Sequence, residues 1–381
     1  MPPAAYNRHM KQVDVCVRGA GVVGSCLALA LSRQGLSVAL QRESARAAAP
    51  PREDVRVYAL NAGSVQLLRE LKVWEALPAD ARCAVYDMHI EGDAAGSAID
   101  FSAWSQGVEA LAWIVDVAEL ERALASAVSF APHVQCIGDQ PVNAALLALA
   151  EGKASATRDQ LGVAMPVQRY GQSAVAARLQ TDLAHAGVAR QWFRSPDVLA
   201  LLPFDRPVPS LGYGLVWSVP QARADELMAL DSTAFELALA DATGGAAGTL
   251  RLCSERAAWP LTLARAEQVC GAGWVLLGDA AHVVHPLAGQ GLNLGLGDVR
   301  ALAQVIAERE PWRSLGDERL LQRYARRRAV PTLAMGQLTD GLLHLFASDV
   351  PVLRELRNRG LSLVNGVPPL KRLLASFALE S

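Results

Sequence analysis

Apolar residues alternate with polar ones over residues 13–17, the two-residue period of a strand with one buried face. In the stretch that follows, RGAGVVGSCLALALSRQGLSVAL, the period lengthens after a cluster of glycines and then shortens again. The pattern predicts strand, tight turn, helix, strand. Three later stretches, YGQSAVAARLQTDL, ARQWFRSPDVLALLPF and YGLVWSVP, carry the β-branched and aromatic content and turn punctuation of a mixed or antiparallel sheet. Residues 224–242 space their apolar positions as one amphipathic helix. Residues 274–277 read as a short apolar strand running into Gly278 and Asp279, and a helix opens at Leu292 and Asn293 toward Val299 and Ile306. Beyond Asp317, apolar and basic residues alternate at helical spacing, the pattern of a packing helix with a solvated face. A membrane-surface or partner-docking face is the alternative.

Composition narrows the class. A chain of 381 residues holds one large domain or two intertwined ones. Its 36 Lys and Arg nearly balance 38 Asp and Glu, and no basic block interleaves with aromatics, so no nucleic-acid partner is expected. The cysteines, Cys16, Cys26, Cys83, Cys136, Cys253 and Cys270, form no C-x-x-C, which argues against a zinc knuckle or a disulfide framework. A reducing cytoplasm is the expected compartment. The first apolar stretch already reads as a strand, so no signal peptide is expected. The longest apolar windows, residues 25–31 and 274–277, fall far short of the roughly 20 residues that span a bilayer, which leaves peripheral contact with the inner face of the membrane as the alternative location.

Gly19, Gly21 and Gly24 make a G-x-G-x-x-G between a strand and a helix, the setting in which that motif binds a dinucleotide. The first glycine allows the turn, the second lets a pyrophosphate approach the backbone, and the third lets the helix lie on the sheet. An ordinary glycine-rich turn is the competing reading. The second strand should end in an acid for the adenosine ribose. Here it offers Arg42 and then Glu43, which point to opposite faces of a strand. An Arg at this place also suits a 2′-phosphate, and hence an NADP-dependent reductase. Arg18, where an apolar residue would pack, is explained by solvation or an ion pair, because burying it alone is costly.

The stretch GDAAHVVHPLAGQGLNLG, residues 278–295, crowds glycines and titratable side chains after an apolar strand. Asp279 stands where a strand-end acid accepts hydrogen bonds from sugar-like hydroxyls. Pro286 stiffens a turn, and Gly289 and Gly291 let the backbone approach a flat ligand before the helix begins. A helix N-terminus aimed at a planar ring suits one that gains negative charge on reduction. His282 reads as a hydrogen-bonded structural residue. His285, a residue type able to titrate near neutral pH, is the one catalytic candidate.

Together with DVRVYALNAGSVQLLRELKVW, YGQSAVAARL and GLVWSVP, these motifs resemble the flavin-dependent aromatic hydroxylases of the p-hydroxybenzoate hydroxylase fold. The likeness is greatest to the branch that hydroxylates the ring in ubiquinone biosynthesis, and runs from about residue 13 to about residue 370. It implies non-covalent FAD, with NAD(P)H as a transient co-substrate and O2 as the oxidant. It places Asp279 at the ribitol or pyrophosphate, Gly291, Leu292 and Asn293 at the flavin ring, Arg56 near the phosphates, and the Pro286 carbonyl near the reacting edge. The family's G-A-D-G-x-x-S-x-x-R is matched by LAEGKASATR through Gly152, Ser155 and Arg158, with Glu151 in place of Asp. An Ala-rich helix continuing from Asn143 is the alternative for that segment.

The implied architecture is α/β. A discontinuous Rossmann-like FAD-binding domain comprises residues 11–75, 110–160 and 265–316. A mixed β-sheet substrate domain comprises 76–109 and 161–264, and a C-terminal helical region 317–381. The implied activity is monooxygenation of a prenylated phenol. A non-catalytic docking or assembly subunit of the same pathway is the second reading and an NADP-dependent reductase the third.

Overall fold

The computed structural model describes residues 12–42, 54–92, 97–284 and 290–347, and only the backbone of 290 and 334–347. Along the chain, β1 (Gln12–Arg18), α1 (Val22–Ser32) and β2 (Val38–Gln41) form a parallel βαβ unit. Next come β3 (Val57–Leu60), α2 (Ala62–Glu70), β4 (Arg82–Val85), β5 (Asp87–Glu91), β6 (Ala98–Ser102), α3 (Ala103–Gln106) and β7 (Ala112–Asp116). The chain returns to the first sheet through α4 (Val117–Ser129), β8 (Val134–Ile137) and β9 (Asn143–Leu149). After α5 (Ala156–Gln160) come the long strands β10 (Val167–Gln180), β11 (Val188–Arg194), β12 (Asp197–Phe204) and β13 (Gly212–Pro220). Helices α6 (Gln221–Ala229) and α7 (Ser232–Thr243) follow, then β14 (Arg251–Leu252), β15 (Ala257–Arg265), β16 (Cys270–Gly271), β17 (Trp274–Leu276) and β18 (His282–Val283). The described part ends with α8 (Gln290–Ala307) and α9 (Glu318–Ala347).

One sheet runs β16-β17-β9-β1-β2-β8, parallel except for its β16 edge. Its strands come from three separated stretches of sequence, as a discontinuous nucleotide-binding fold requires. At β9 and β17, Leu149 and Leu276 pack with Val163, Ala266 and Ala281 in a separate, smaller cluster. Apolar α1 packs against α4 and α8, and Val15, Leu27, Leu31, Leu146, Val299 and Leu302 are among the residues of the main core.

The second sheet runs β18-β15-β10-β13-β12-β11-β5-β6 and is mostly antiparallel. One face packs on α6 and α7 through Val175, Leu215, Trp217 and Phe235. Part of the other packs on the three-stranded sheet β3-β7-β4, through Phe204, Val57 and Ile114. The single helix expected over residues 224–242 is two. Asp231 accepts a hydrogen bond from the Ala234 N–H at 2.8 Å and caps α7, so the helix ends and restarts there. Residues 143–149 form a strand, which rules out the Ala-rich helix. Of the C-terminal helical region, residues 348–381 lie outside the described part.

Candidate active site

The N-terminal glycines divide into two roles. Gly19 has φ +99°, and a Cβ there would collide with the Ala150 carbonyl; a Cβ on Gly24 would collide with the Gly19 carbonyl. Both therefore serve packing. A Cβ on Gly21 would meet no atom within 4 Å, so it opens onto a free cradle. The N-terminus of α1 adjoins it with no side-chain cap and no acid in its first turn, which leaves N–H donors for an anion.

Arg18 is ion-paired within the protein. Its Nε donates to Gln41 Oε1 at 2.9 Å and its guanidinium reaches Thr157 Oγ1 at 2.5 Å, with Glu151 at 4.0 Å. Glu151 in turn accepts from the hydroxyls of Ser155 (2.5 Å) and Thr157 (2.7 Å) and from the Thr157 N–H (3.3 Å). Both of its oxygens are thus engaged at the start of α5, so its geometry is that of a cap. Arg158 is buried and donates to the Ala280 carbonyl at 3.3 Å, which ties α5 to the turn carrying Asp279.

That turn is held from behind by an acid that the sequence reading missed. Asp298, on α8 and wholly buried, accepts from the Gly278 N–H (2.8 Å), His282 Nε2 (2.7 Å) and Arg328 Nε (2.6 Å). Burial opposes its charge, but His282, Arg328 and the Gly278 N–H hold its carboxyl below the ordinary range. His282 is therefore structural. The available signal was an acid between Leu296 and Val299 on a helix face that is otherwise apolar.

Asp279 is the opposite case. It is half-buried, and its carboxylate has no hydrogen-bond partner among the described residues. Burial pushes its carboxyl up, against the lowering charges of Lys153, His282 and Arg56. Arg56 clasps Asp54 through Nε at 2.8 Å and approaches the Tyr58 hydroxyl at 3.3 Å, leaving it beside this pocket.

At the start of α8, a Cβ on Gly291 would meet no atom of the described residues within 4 Å, a second open glycine at a helix N-terminus. Leu292 packs against the main core. The Asn293 side chain is engaged within the protein: Nδ2 donates to the Ala59 carbonyl (2.8 Å), and Oδ1 accepts from the Asn61 N–H (3.0 Å) and the Ser64 hydroxyl (2.7 Å). It pins α8 to α2, so what this region offers a ring is backbone. Arg42 is exposed just past β2. Glu43, His285, Pro286 and Gly289 lie outside the described residues.

An uncapped helix start beside one glycine, a second open glycine at another helix start, and a half-buried acid without a hydrogen-bond partner among the described residues suit a dinucleotide carrying both a pyrophosphate and a polyol. The fold and the site define a flavin-binding monooxygenase. Residues 133–337 match the FAD binding domain family, and the chain belongs to it. It is 30% identical to the 3-demethoxyubiquinol 3-hydroxylase of Escherichia coli (strain K12), over 96% of this chain and 98% of that protein. It is 28% identical to ubiquinone hydroxylase UbiL of Rhodospirillum rubrum, over 97% of this chain and 90% of that protein. In fold it is similar to Pseudomonas aeruginosa PqsL in complex with 2-aminobenzoylacetate, with TM-score 0.75 and 19% identity over 92% of this chain and 100% of that one. The p-nitrophenol 4-monooxygenase PnpA of Pseudomonas putida DLL-E4 superposes with TM-score 0.73 and 16% identity, over 97% of this chain and 99% of that one. Membership of the family favours the flavin reading over the reductase that Arg42 suggested and over a non-catalytic subunit.

Proposed function

We propose that this protein is an FAD-dependent, NAD(P)H- and O2-consuming monooxygenase that hydroxylates the aromatic ring of a prenylated phenol in ubiquinone biosynthesis. The observation that carries the reading is the half-buried Asp279 carboxylate, without a hydrogen-bond partner among the described residues, together with two open glycines, each at a helix N-terminus. In the proposed arrangement Gly19 and Gly24 shape the first loop, Gly21 and the α1 N–H groups take the pyrophosphate, and Arg56 faces the phosphates. Asp279 accepts the polyol hydroxyls. Gly289, Gly291 and the backbone of Leu292 and Asn293 border the ring, where partial positive charge at the α8 N-terminus favours a reduced, anionic ring. Pro286 and His285 face the reacting edge, one of Arg42 and Glu43 faces the adenosine ribose, and Glu151 holds the α5 turn. FAD, when bound, supplies the redox chemistry with NAD(P)H and O2 that no side chain here can; the protein's part is to orient the ring and exclude water.

The proposed division assigns residues 11–75, 110–160 and 265–316 to FAD, 76–109 and 161–264 to the substrate, and 317–381 to the C-terminal helices. No helix among the described residues is long and apolar enough to cross a membrane. A greasy substrate and the exposed Arg326 of α9 support peripheral contact with a membrane surface, while Arg323 and Arg327 pair with Glu310 and Glu308. The test is direct. Purified protein is yellow, and adding a prenylated phenol accelerates its consumption of NAD(P)H and O2 and yields a hydroxylated ring. Colourless protein that cannot be loaded with FAD refutes the reading.

A further inference from the structure

Side chains along β10 alternate between the two faces of the large sheet. Val175, Ala177 and Leu179 point into the core under α6 and α7. Gln172, Ala174, Ala176 and Arg178 therefore point the other way, and Arg178 shows where that is. Its guanidinium reaches Asp116 at 2.8 Å and the Asp54 carbonyl at 2.7 Å, beside the proposed flavin region. Paired residues share a face, so Ser218 and Val216 of β13 stand next to Ala174 and Ala176, and Val198 and Ala200 of β12 next to them. Farther along, this face is closed: Val57 packs where a Gly214 Cβ would stand. Toward Gln172 the same face carries the small side chains of Ala174 and Ser218, with Val198 beyond them and Trp259 of β15 standing beside Ala174 as a wall.

Gln172 stands at the end of that stretch. Between Arg169 and Ser173 the register of β10 with β15 breaks, so Gln172 has no partner on that side of the ladder. On its far edge β15 pairs with β18, whose last residue Val283 leads toward the loop before α8. The Gln172 side chain is only 9% exposed, and its Nε2 donates to the Pro196 carbonyl at 3.3 Å. That bond sets the amide's orientation, because a flip would place oxygen against oxygen. Oε1 is then a buried acceptor with no donor among the described residues. A buried acceptor without a donor is unfavourable, and a bound O–H relieves it.

We propose that Gln172 positions the substrate by accepting a hydrogen bond from its phenolic hydroxyl, with the ring lying over Ala174 and Ser218. This rests on the hydroxylase reading and adds to it the feature of the substrate that is recognised. The test uses flavin-loaded protein titrated with 2-prenylphenol and with its methyl ether, followed by the perturbation of the flavin absorbance. The wild type binds the phenol roughly 3- to 10-fold more tightly than the ether, the range of one neutral hydrogen bond. Gln172→Leu brings the two affinities level by weakening the phenol alone, whereas Gln172→Glu, which keeps an acceptor oxygen, retains the preference. If Gln172→Leu takes up no FAD, Gln172→Met carries the same comparison. A preference unchanged in the apolar variant, or absent from the wild type, overturns the assignment while leaving the hydroxylase reading intact. Wild-type protein that takes up no FAD overturns that reading instead.

Discussion

Replacing Asp279 by Asn or Ala tests the site where the structure is most specific. The carboxylate lies next to Gly278, whose N–H is anchored on Asp298, so the turn keeps its shape when the Asp279 side chain changes. What is lost is the acceptor for the polyol. A hydrogen bond to a charged group contributes about 1.5–3 kcal/mol, so removing it weakens FAD binding by roughly 10- to 100-fold, with Ala at the upper end. The dependence on pH carries a sign. In the free protein burial raises the Asp279 carboxyl above its ordinary range, against the lowering charges of Lys153, His282 and Arg56. Polyol hydroxyls donating to the carboxylate favour the ionised form, so FAD binding releases a proton and affinity rises with pH through the free protein's raised pKa. For the stability of the free protein the raised pKa acts the other way. Asp279's contribution is fully present below the unfolded pKa and is lost as pH rises through the folded one. Dialysis against dilute FAD, or isothermal titration across a pH series, reads the affinity directly. An Ala variant that binds within about 3-fold of wild type at every pH, less than one such bond contributes, sinks the assignment.

Three further outcomes follow from the geometry. Gly21→Ala leaves the thermal midpoint nearly unchanged, since its Cβ meets open space, yet abolishes most FAD binding; Gly24→Ala, which meets the Gly19 carbonyl, loses about 1–3 kcal/mol of stability, so equal effects in a melting assay contradict the division of roles. Asp298→Asn leaves His282 and Arg328 without their shared anion and costs about 3–5 kcal/mol in urea unfolding. Because its carboxyl is held low, the stability that Asp298 contributes is present above the unfolded pKa and lost as pH falls through the folded one; an acid limb identical in wild type and variant argues against this. Arg42→Glu, at the exposed end of β2, tightens FAD binding a few-fold, roughly one ribose hydrogen bond's worth. A weaker complex instead marks Arg42 as a contact of the nucleotide.

Elements were legible where one local rule applied. The βαβ unit announces itself because two strands, a glycine turn and an apolar helix each follow their own period within thirty residues of one another. The break at Asp231 lay in plain view as an N-cap residue, but the apolar spacing on either side masked it. Arg18 was an anomaly with two readings. Only the fold, by bringing Glu151 and Thr157 within its reach, shows that it is paired inside the protein.

Sequence alone determined the βαβ unit, whose alternation and glycine spacing are local, and through the long Asp-to-Asn motif a resemblance to a class of protein, with a reductase and a non-catalytic subunit left open. Tertiary structure decided which residues hold and which are held. Asp298, Arg328, Arg158 and Asn293 support the site through bonds that cross 16 to 234 positions. Such pairings leave no periodic trace, because a hydrogen bond depends on distance in space and not on separation along the chain. The same reason separates Gln172, whose acceptor is left without a donor among the described residues, from Glu151, whose two oxygens are already engaged.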